Sequence, residues 1–260
     1  MSAFIDARTV PAGTILEPDL AIIGGGPVGI TLALALAHTP LKLMLFESGG
    51  DDFEPATQAL YGGVTAGAPY LRLDASRMRY LGGSTNHWGG WCRPLDAIDF
   101  EARDWVAHSG WPFGLKTLEP YFPRAQALVE AGTWTYDKSD AVMSTLGPIL
   151  KLGPGGVYTS WFQFSKTRDN VLPTHFGERY RDDLKRIPNL KLYLHANATT
   201  LKLNANAGSV DHFDVSTLSG HKFQVKPRAT VLALGAMENA RLMLASNDVV
   251  PAGVGNQNDL

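Results

Sequence analysis

Six residues near the start of the chain, Gly24-Gly25-Gly26-Pro27-Val28-Gly29, constrain its fold more than any other stretch. They follow a short apolar run, Asp19-Leu20-Ala21-Ile22-Ile23, with the unbroken hydrophobicity of a strand buried on both faces. Pro27 suits the first turn of a helix, which Val28, Ile30, Leu32, Leu34 and Leu36 carry to about His38. Leu41 to Phe46 reads as the next strand, closed by Glu47-Ser48-Gly49-Gly50. The expectation is a strand–helix–strand unit whose helix, apolar on nearly every side, lies buried in the middle of a domain. The stretch from Leu20 to Leu41 contains no Asp, Glu, Lys or Arg. The glycines interrupt it, and a helix over 27–38 would reach roughly 18 Å against the roughly 30 Å of a bilayer core, so it is not read as a membrane span.

The glycine run satisfies G-x-G-x-x-G in the context that this pattern requires, between a strand and a helix, with the acidic Glu47 placed 23 residues after Gly24. The glycines differ in what they make possible. Gly24 permits the tight turn, Gly26 lets the backbone approach a pyrophosphate, and Gly29 allows close helix–strand packing. The helix N-terminus presents free N–H groups and partial positive charge to phosphates. Glu47 is placed to accept hydrogen bonds from ribose hydroxyls and disfavours a 2′-phosphate, hence NADP. The fingerprint by itself leaves NAD and FAD open.

Composition narrows the class further. The 260 residues are 45% hydrophobic and 18% charged, enough to bury a core, and the formal net charge of −2 argues against a nucleic-acid partner. Cys92 is the single cysteine, which excludes an internal disulfide and multi-cysteine metal sites; no metal site is expected. No basic start followed by an apolar core marks a secretory signal, so a cytoplasmic location is expected. Asp99 reads as a helix cap before Phe100–Asp104, and a second helix is expected over Leu118–Ala131. Gly153-Pro154-Gly155-Gly156 reads as a loop, and Glu178–Ile187 as a charged surface helix. Leu190, Leu192 and Leu194 alternate as a strand, and pieces near 199–204, 210–217 and 222–226 look like a small meander. Thr230–Leu234 is a further buried strand, followed by a helix over Glu238–Ala245.

Two distal segments add chemistry. Arg79-Tyr80-Leu81-Gly82-Gly83-Ser84-Thr85-Asn86-His87-Trp88-Gly89-Gly90-Trp91 is one, and Ala233-Leu234-Gly235-Ala236-Met237-Glu238-Asn239-Ala240-Arg241-Leu242 is the other. Read with the N-terminal fingerprint, they resemble the glucose–methanol–choline (GMC) oxidoreductase family. Support comes from Asp96 to Phe113, from Phe176-Gly177-Glu178-Arg179-Tyr180 and from His195-Ala196-Asn197-Ala198-Thr199, so the resemblance spans about 19–250. The His-Trp pair and the Phe-Gly-Glu-Arg-Tyr run lean toward the pyranose-oxidase-like and bacterial sugar and polyol dehydrogenase branches.

The resemblance implies an α/β fold: an FAD-binding Rossmann-like domain with a β-meander, plus part of a substrate or cap domain. Residues 1–50 and 176–250 would form the FAD-binding domain, 51–175 the flavin loop and partial cap, and 251–260 a truncated loop. It implies FAD as cofactor and oxidation of a CH–OH group of a sugar, polyol or other alcohol by hydride transfer to flavin N5. Gly24, Gly26 and Gly29, with Gly25, Pro27 and Val28 between them, would hold the pyrophosphate. Glu47 would meet the adenosine ribose and Ala198 the adenine, with Ser48 a further cofactor-binding residue. Gly82, Gly83, Ser84 and the Trp88-Gly89-Gly90 backbone would lie along the flavin, with Asn86 a further cofactor-binding residue and Ala233, Gly235 and Ala236 beside the cofactor. His87 stands where pyranose oxidases bond a histidine covalently to the flavin, which makes it a candidate anchor, and Trp88 or Trp91 is expected near the flavin.

The family's catalytic base lies in the C-terminal part of its fold, and none of this chain's seven histidines sits in a segment resembling it. No catalytic residue is therefore assigned in this chain, which is expected to be truncated. The alternatives are a non-catalytic FAD-binding fragment or partner chain, and an NAD-dependent dehydrogenase. The latter would leave the segments at 82–90 and 231–236 without a role.

Overall fold

The computed structural model describes residues 4–136, 147, 159–166 and 173–256. The chain divides into two compact units, Met1–His87 with His175–Leu260, and Trp88–Thr174. Residues 51–87 therefore belong with the glycine fingerprint, and only the chain from Trp88 onward forms the second unit.

The first unit begins with β1 (Phe4–Asp6) and β2 (Ile15–Leu16), strands too short to carry a readable period. β3 (Leu20–Ile23), α1 (Pro27–Ala35) and β4 (Leu43–Phe46) form the expected strand–helix–strand unit, and a single helical turn, α2 (Pro55–Gln58), follows. β5 (Trp91–Cys92), α3 (Phe122–Leu128) and β6 (Gln163–Phe164) lie in the second unit. The chain re-enters the first unit with α4 (Phe176–Arg186), β7 (Leu190–Leu194), β8 (Asn197–Leu203), β9 (Val210–Ser216), β10 (Lys222–Val225), β11 (Ala229–Leu232) and α5 (Ala236–Ala245).

Five strands make a parallel sheet in the order β1-β7-β4-β3-β11. Its central strands are buried on both faces, which is why they read as continuous apolar runs without alternation. One face packs against the meander: Ala21, Ile23, Met44, Phe46 and Tyr193 share a core with Leu201, Phe213, Val215, Phe223 and Val225. The Phe46 ring stacks on Tyr193 at 5.1 Å and meets Phe213 edge-on at 5.3 Å, geometries that aromatic quadrupoles favour. The meander is a four-stranded sheet ordered β2-β10-β9-β8, antiparallel except where β2 joins the edge of β10.

α1 packs on α4, on β4 and on the turn at Gly83–Asn86, but it is not buried all round. Gly29, Ile30 and Ala33 face inward, while Val28 is 57% exposed. Small residues at the contact bring one face of the helix close to the sheet and leave the other in solvent. The charged helix expected over Glu178–Ile187 is α4, and it is amphipathic, burying Phe176, Tyr180 and Leu184 at positions i, i+4 and i+8.

In the second unit, β5 and β6 pair antiparallel, with Trp91 opposite Phe164. The expected helix after Asp99 is a 3-10 turn over Ala97–Phe100 instead, and its cap is Asp96. Asp99 occupies the third position of a capping box, its carboxylate accepting the Asp96 N–H at 2.8 Å. The helix expected over Leu118–Ala131 is shortened to Phe122–Leu128 behind two 3-10 turns, because Pro120 and Pro123 supply no N–H to a continuous helix. The loop read at Gly153–Gly156 and the last residues of the 251–260 segment lie outside the described residues. Among the described residues, no helix is long and apolar enough to cross a membrane.

Candidate functional site

Strand register places the site. Phe46 pairs with Ile23 and with Tyr193, and Leu232 pairs with Ile23, so the adjacent parallel strands β11, β3 and β4 end level with one another and β7 runs one residue further. The turns that follow β3, β4 and β11 therefore emerge side by side at the carboxyl edge of the sheet, where open α/β sheets bind their ligands.

The fingerprint turn is tied on both sides. Gly24 has φ +113° and donates its N–H to the Phe46 carbonyl at 2.8 Å, and a Cβ here would stand 2.5 Å from the Ala233 carbonyl oxygen. At Gly29 a Cβ would lie 1.9 Å from the Gly24 carbonyl oxygen, so only glycine lets α1 start this close to the strand end. Gly26, the cap of α1, is different: a Cβ there meets nothing within 4 Å and would stand in open space.

Glu47 closes the turn after β4. Only 6% exposed, it accepts the Gly25 N–H at 2.8 Å on Oε2 and the Gly49 N–H at 2.8 Å and the Ser48 hydroxyl at 3.3 Å on Oε1. A carboxylate offers about four acceptor sites, so these three bonds leave room for about one more.

The loop at 79–86 is anchored to the same turns. Leu81 donates its N–H to the Gly50 carbonyl at 3.0 Å, and Gly82, at φ +101°, donates to the Gly25 carbonyl at 2.8 Å. Thr85 Oγ1 donates to the Gly82 carbonyl at 2.7 Å and accepts the Phe176 N–H at 3.1 Å, which fastens the loop to the start of α4. After β11, Ala233 donates its N–H to the Ile23 carbonyl at 2.7 Å, and Gly235, at φ +83°, leads into α5.

These segments enclose a cavity of about 320 Å³. Of the residues singled out in the sequence, Gly24, Gly26, Pro27, Val28, Glu47, Ser48, Gly83, Ser84, Ala233, Gly235 and Ala236 line it. Gly25, Gly29 and Gly82 shape its walls through the backbone contacts above. Ala198 lines a neighbouring cavity of about 260 Å³. Asn86 turns its amide to the Leu81 carbonyl at 2.9 Å and lines a separate polar hollow with Asp51, Asp52 and Glu178. His87 is exposed and is not a lining residue of the main cavity. Trp88, Gly89, Gly90 and Trp91 belong to the second unit. There the Trp88 indole N–H donates to the Thr174 carbonyl at 3.1 Å, and Trp91 packs on Phe162 and Phe164.

The structure adds a charged cluster to which the sequence attached no role. Glu238, in the first turn of α5, is 6% exposed; its Oε1 accepts Arg77 Nη1 at 2.8 Å and its Oε2 accepts Arg241 Nε at 2.7 Å. Arg79 Nη1 reaches Oε2 only at 3.5 Å. Burial is the largest single influence on the Glu238 carboxyl and opposes its ionisation. The hydrogen bonds from Arg241 and Arg77, with the charges of Arg241 and Arg79, together outweigh it and hold the carboxyl below its ordinary value. Both Arg77 and Arg79 lie over the Tyr61 ring, at 3.9 and 4.6 Å from its centroid. Burial, followed by the charge of Glu47, pushes the Tyr61 phenol up. Arg79 and Glu238 fall within the two distal sequence segments, but 159 residues separate them, and only the fold brings them together.

No protein-family model matches the chain, and no curated protein sequence matches it significantly. Solved structures do. The fold is similar to that of pyridoxine 4-oxidase from Mesorbium loti, with a TM-score of 0.57 at 22% identity over 88% of this chain and 51% of that one. It is also similar to formate oxidase, with a TM-score of 0.55 at 16% identity over 91% of this chain and 48% of that one. A variant of the Aspergillus oryzae RIB40 formate oxidase, studied for the effect of mutation on FAD modification, matches with a TM-score of 0.51 at 16% identity over the same shares. Both oxidases are GMC oxidoreductases, the family whose motifs this sequence resembles. At these identities the likeness establishes the fold alone: a parallel α/β sheet with its meander. The chain spans about half the length of the structures it matches.

Proposed function

We propose that this chain is the cofactor-binding portion of an FAD-dependent oxidoreductase of the GMC class, acting on a CH–OH group of a sugar, polyol or other alcohol. The observation that carries the reading is convergence. Segments beginning at 24 and 47, chosen by the glycine fingerprint, and at 83 and 233, chosen by the family resemblance, line one cavity at the carboxyl edge of the parallel sheet. A nicotinamide dehydrogenase needs only the first two of them.

The residues fit a dinucleotide. Gly26 presents bare backbone to the cavity, and the N-terminus of α1 opens there with a partial positive charge suited to a pyrophosphate. Glu47 is held rigid by three hydrogen bonds and keeps an acceptor position for a ribose hydroxyl. Ala198 supplies a backbone edge for adenine in the adjoining cavity. Gly83 and Ser84, with Ala233, Gly235 and Ala236, line the remaining wall, where the isoalloxazine would rest. When bound, FAD accepts a hydride from the alcohol carbon; the chain's own part is to hold the cofactor and exclude water from it. His87, exposed at the end of the loop, is the residue proposed for a covalent link.

The test is the absorbance spectrum of the purified chain, with FAD added if the protein is colourless, recorded before and after acid precipitation. Flavin bands are expected. If they stay with the pellet, and a peptide containing His87 carries the mass of FAD, the covalent link holds; bands in the supernatant retain the cofactor and remove the link. A chain that binds NAD and takes up no FAD would overturn the proposal.

A further inference from the structure

Among the residues lining the two cavities, Arg79 alone lines both. A dinucleotide reaching from Glu47 in the first to Ala198 in the second must pass this side chain. Arg79 is 9% exposed, yet its guanidinium is poorly satisfied. Nη1 reaches Glu238 at 3.5 Å, Nη2 reaches Asn197 Oδ1 at 3.4 Å, and Nε is buried with no hydrogen-bond partner. Five N–H donors therefore have two long bonds between them. A buried cation is normally compensated by paired charge and short hydrogen bonds, and here the short bonds of Glu238 go to Arg77 and Arg241 instead.

The position of Arg79 is nonetheless well determined. Gln58 accepts the Arg79 N–H at 3.0 Å and donates to the Asp74 and Arg77 carbonyls at 2.6 and 2.7 Å, which pins the backbone of this segment. The Tyr61 ring lies against the guanidinium, and Glu238 neutralises part of the charge. A rigidly placed, under-bonded planar fork between a ribose position and an adenine position is a donor set lacking acceptors. Adenine ring nitrogens and ribose oxygens are such acceptors.

The geometry points to Arg79 as the residue that recognises the adenosine half of the bound dinucleotide, with Glu238, Tyr61 and Gln58 fixing its place. This rests on the FAD reading and deepens it. The experiment is calorimetric titration of the full 260-residue chain with ADP, which has the adenosine and pyrophosphate but no flavin, and with FAD. Arg79→Met should weaken both ligands by a similar factor of about 10 to 100, the range expected when a charge-assisted hydrogen bond is lost from a buried site. Arg79→Lys keeps the charge and stem without the planar fork, folds with less disturbance and should lose a smaller factor for both. Unchanged ADP affinity in both variants would overturn the inference. So would loss of FAD affinity with ADP affinity intact, because the contact would then lie on the flavin half. A native chain that binds neither ligand would overturn the dinucleotide reading itself, and titration of the unmodified protein shows that before any variant is made.

Discussion

Gly29 and Gly26 stand three residues apart in one motif, and the structure predicts opposite consequences for a methyl group at each. At Gly29 the added Cβ would lie 1.9 Å from the Gly24 carbonyl oxygen, whereas ordinary contact begins at 3.4 Å. The obstacle is backbone, which cannot swing aside, so helix and turn would have to separate by about 1.5 Å, equal to the rise of one helical residue. Overpacking of this kind costs about 1–3 kcal/mol, and a clash with fixed backbone belongs at the upper end. Alanine recovers about 1 kcal/mol over glycine inside a helix, so the net destabilisation should be about 2 kcal/mol. For a chain of this size that lowers the thermal midpoint by about 4–8 °C. Gly26→Ala adds its methyl where nothing lies within 4 Å, on backbone at φ −79° and ψ −172° that alanine adopts freely. Its stability should change by less than about 1 kcal/mol, the cost of replacing glycine by alanine at a helix cap. FAD affinity should nevertheless fall at least about tenfold, because the methyl stands where the pyrophosphate must approach the backbone. Circular-dichroism melts of the cofactor-free variants and FAD titration followed by flavin fluorescence separate the two effects. A Gly29→Ala chain that melts with the native protein, or a Gly26→Ala chain with native FAD affinity, would refute the steric reasoning.

Three further outcomes follow from the site. Glu47→Gln puts an amide NH₂ against the N–H donors of Gly25 or Gly49 and should lower stability by about 1–3 kcal/mol in urea unfolding; a variant as stable as the native chain would mean those bonds are not formed. Glu238 ionises more readily in the folded chain than its ordinary value of 4.5, so its contribution is complete above about pH 4.5 and disappears as the pH falls through its folded value. Glu238→Gln should therefore be less stable near neutrality yet show a flatter decline below pH 4.5, and an acid limb as steep as the native one would contradict the assignment. Burial pushes the Cys92 thiol up, so iodoacetamide at about pH 8.5 should alkylate it more slowly in the folded chain than in urea. Equal rates would show that Cys92 is not shielded.

Local signals were legible where short stretches determine their own conformation. The apolar runs that became β3 and β4, the proline that starts α1 and the charged stretch that became α4 are each set within a few residues of chain. Elsewhere a competing principle in the same stretch prevailed over the pattern. Asp96 rather than Asp99 caps the 3-10 turn, because the capping box uses both residues in reciprocal roles. Pro120 and Pro123 interrupt a helix that hydrophobic spacing alone would continue. β1 and β2 carry no signal because they exist by pairing with β7 and β10, strands far along the chain (Phe4 with Leu192, Ile15 with Gln224), rather than by any pattern of their own.

That a glycine turn lies between a buried strand and a helix, with a carboxylate at the end of the next strand, was written in the order of the residues. Backbone permissiveness, proline's fixed φ and unbroken hydrophobicity act over short distances, so a local stretch suffices to specify them. The residue order also marked the segments at 82–84 and 233–236 through their resemblance to a known family. It took the folded chain to bring those segments to one cavity with the glycine turn. That result depends on Ile23, Phe46, Tyr193 and Leu232 pairing in register across four parallel strands. Likewise, Arg77, Arg79, Tyr61 and Glu238 acquire their chemistry only in the fold. Charge–charge and cation–ring contacts act over a few ångströms in space, and no local pattern along the chain records which distant residues the sheet will bring that close.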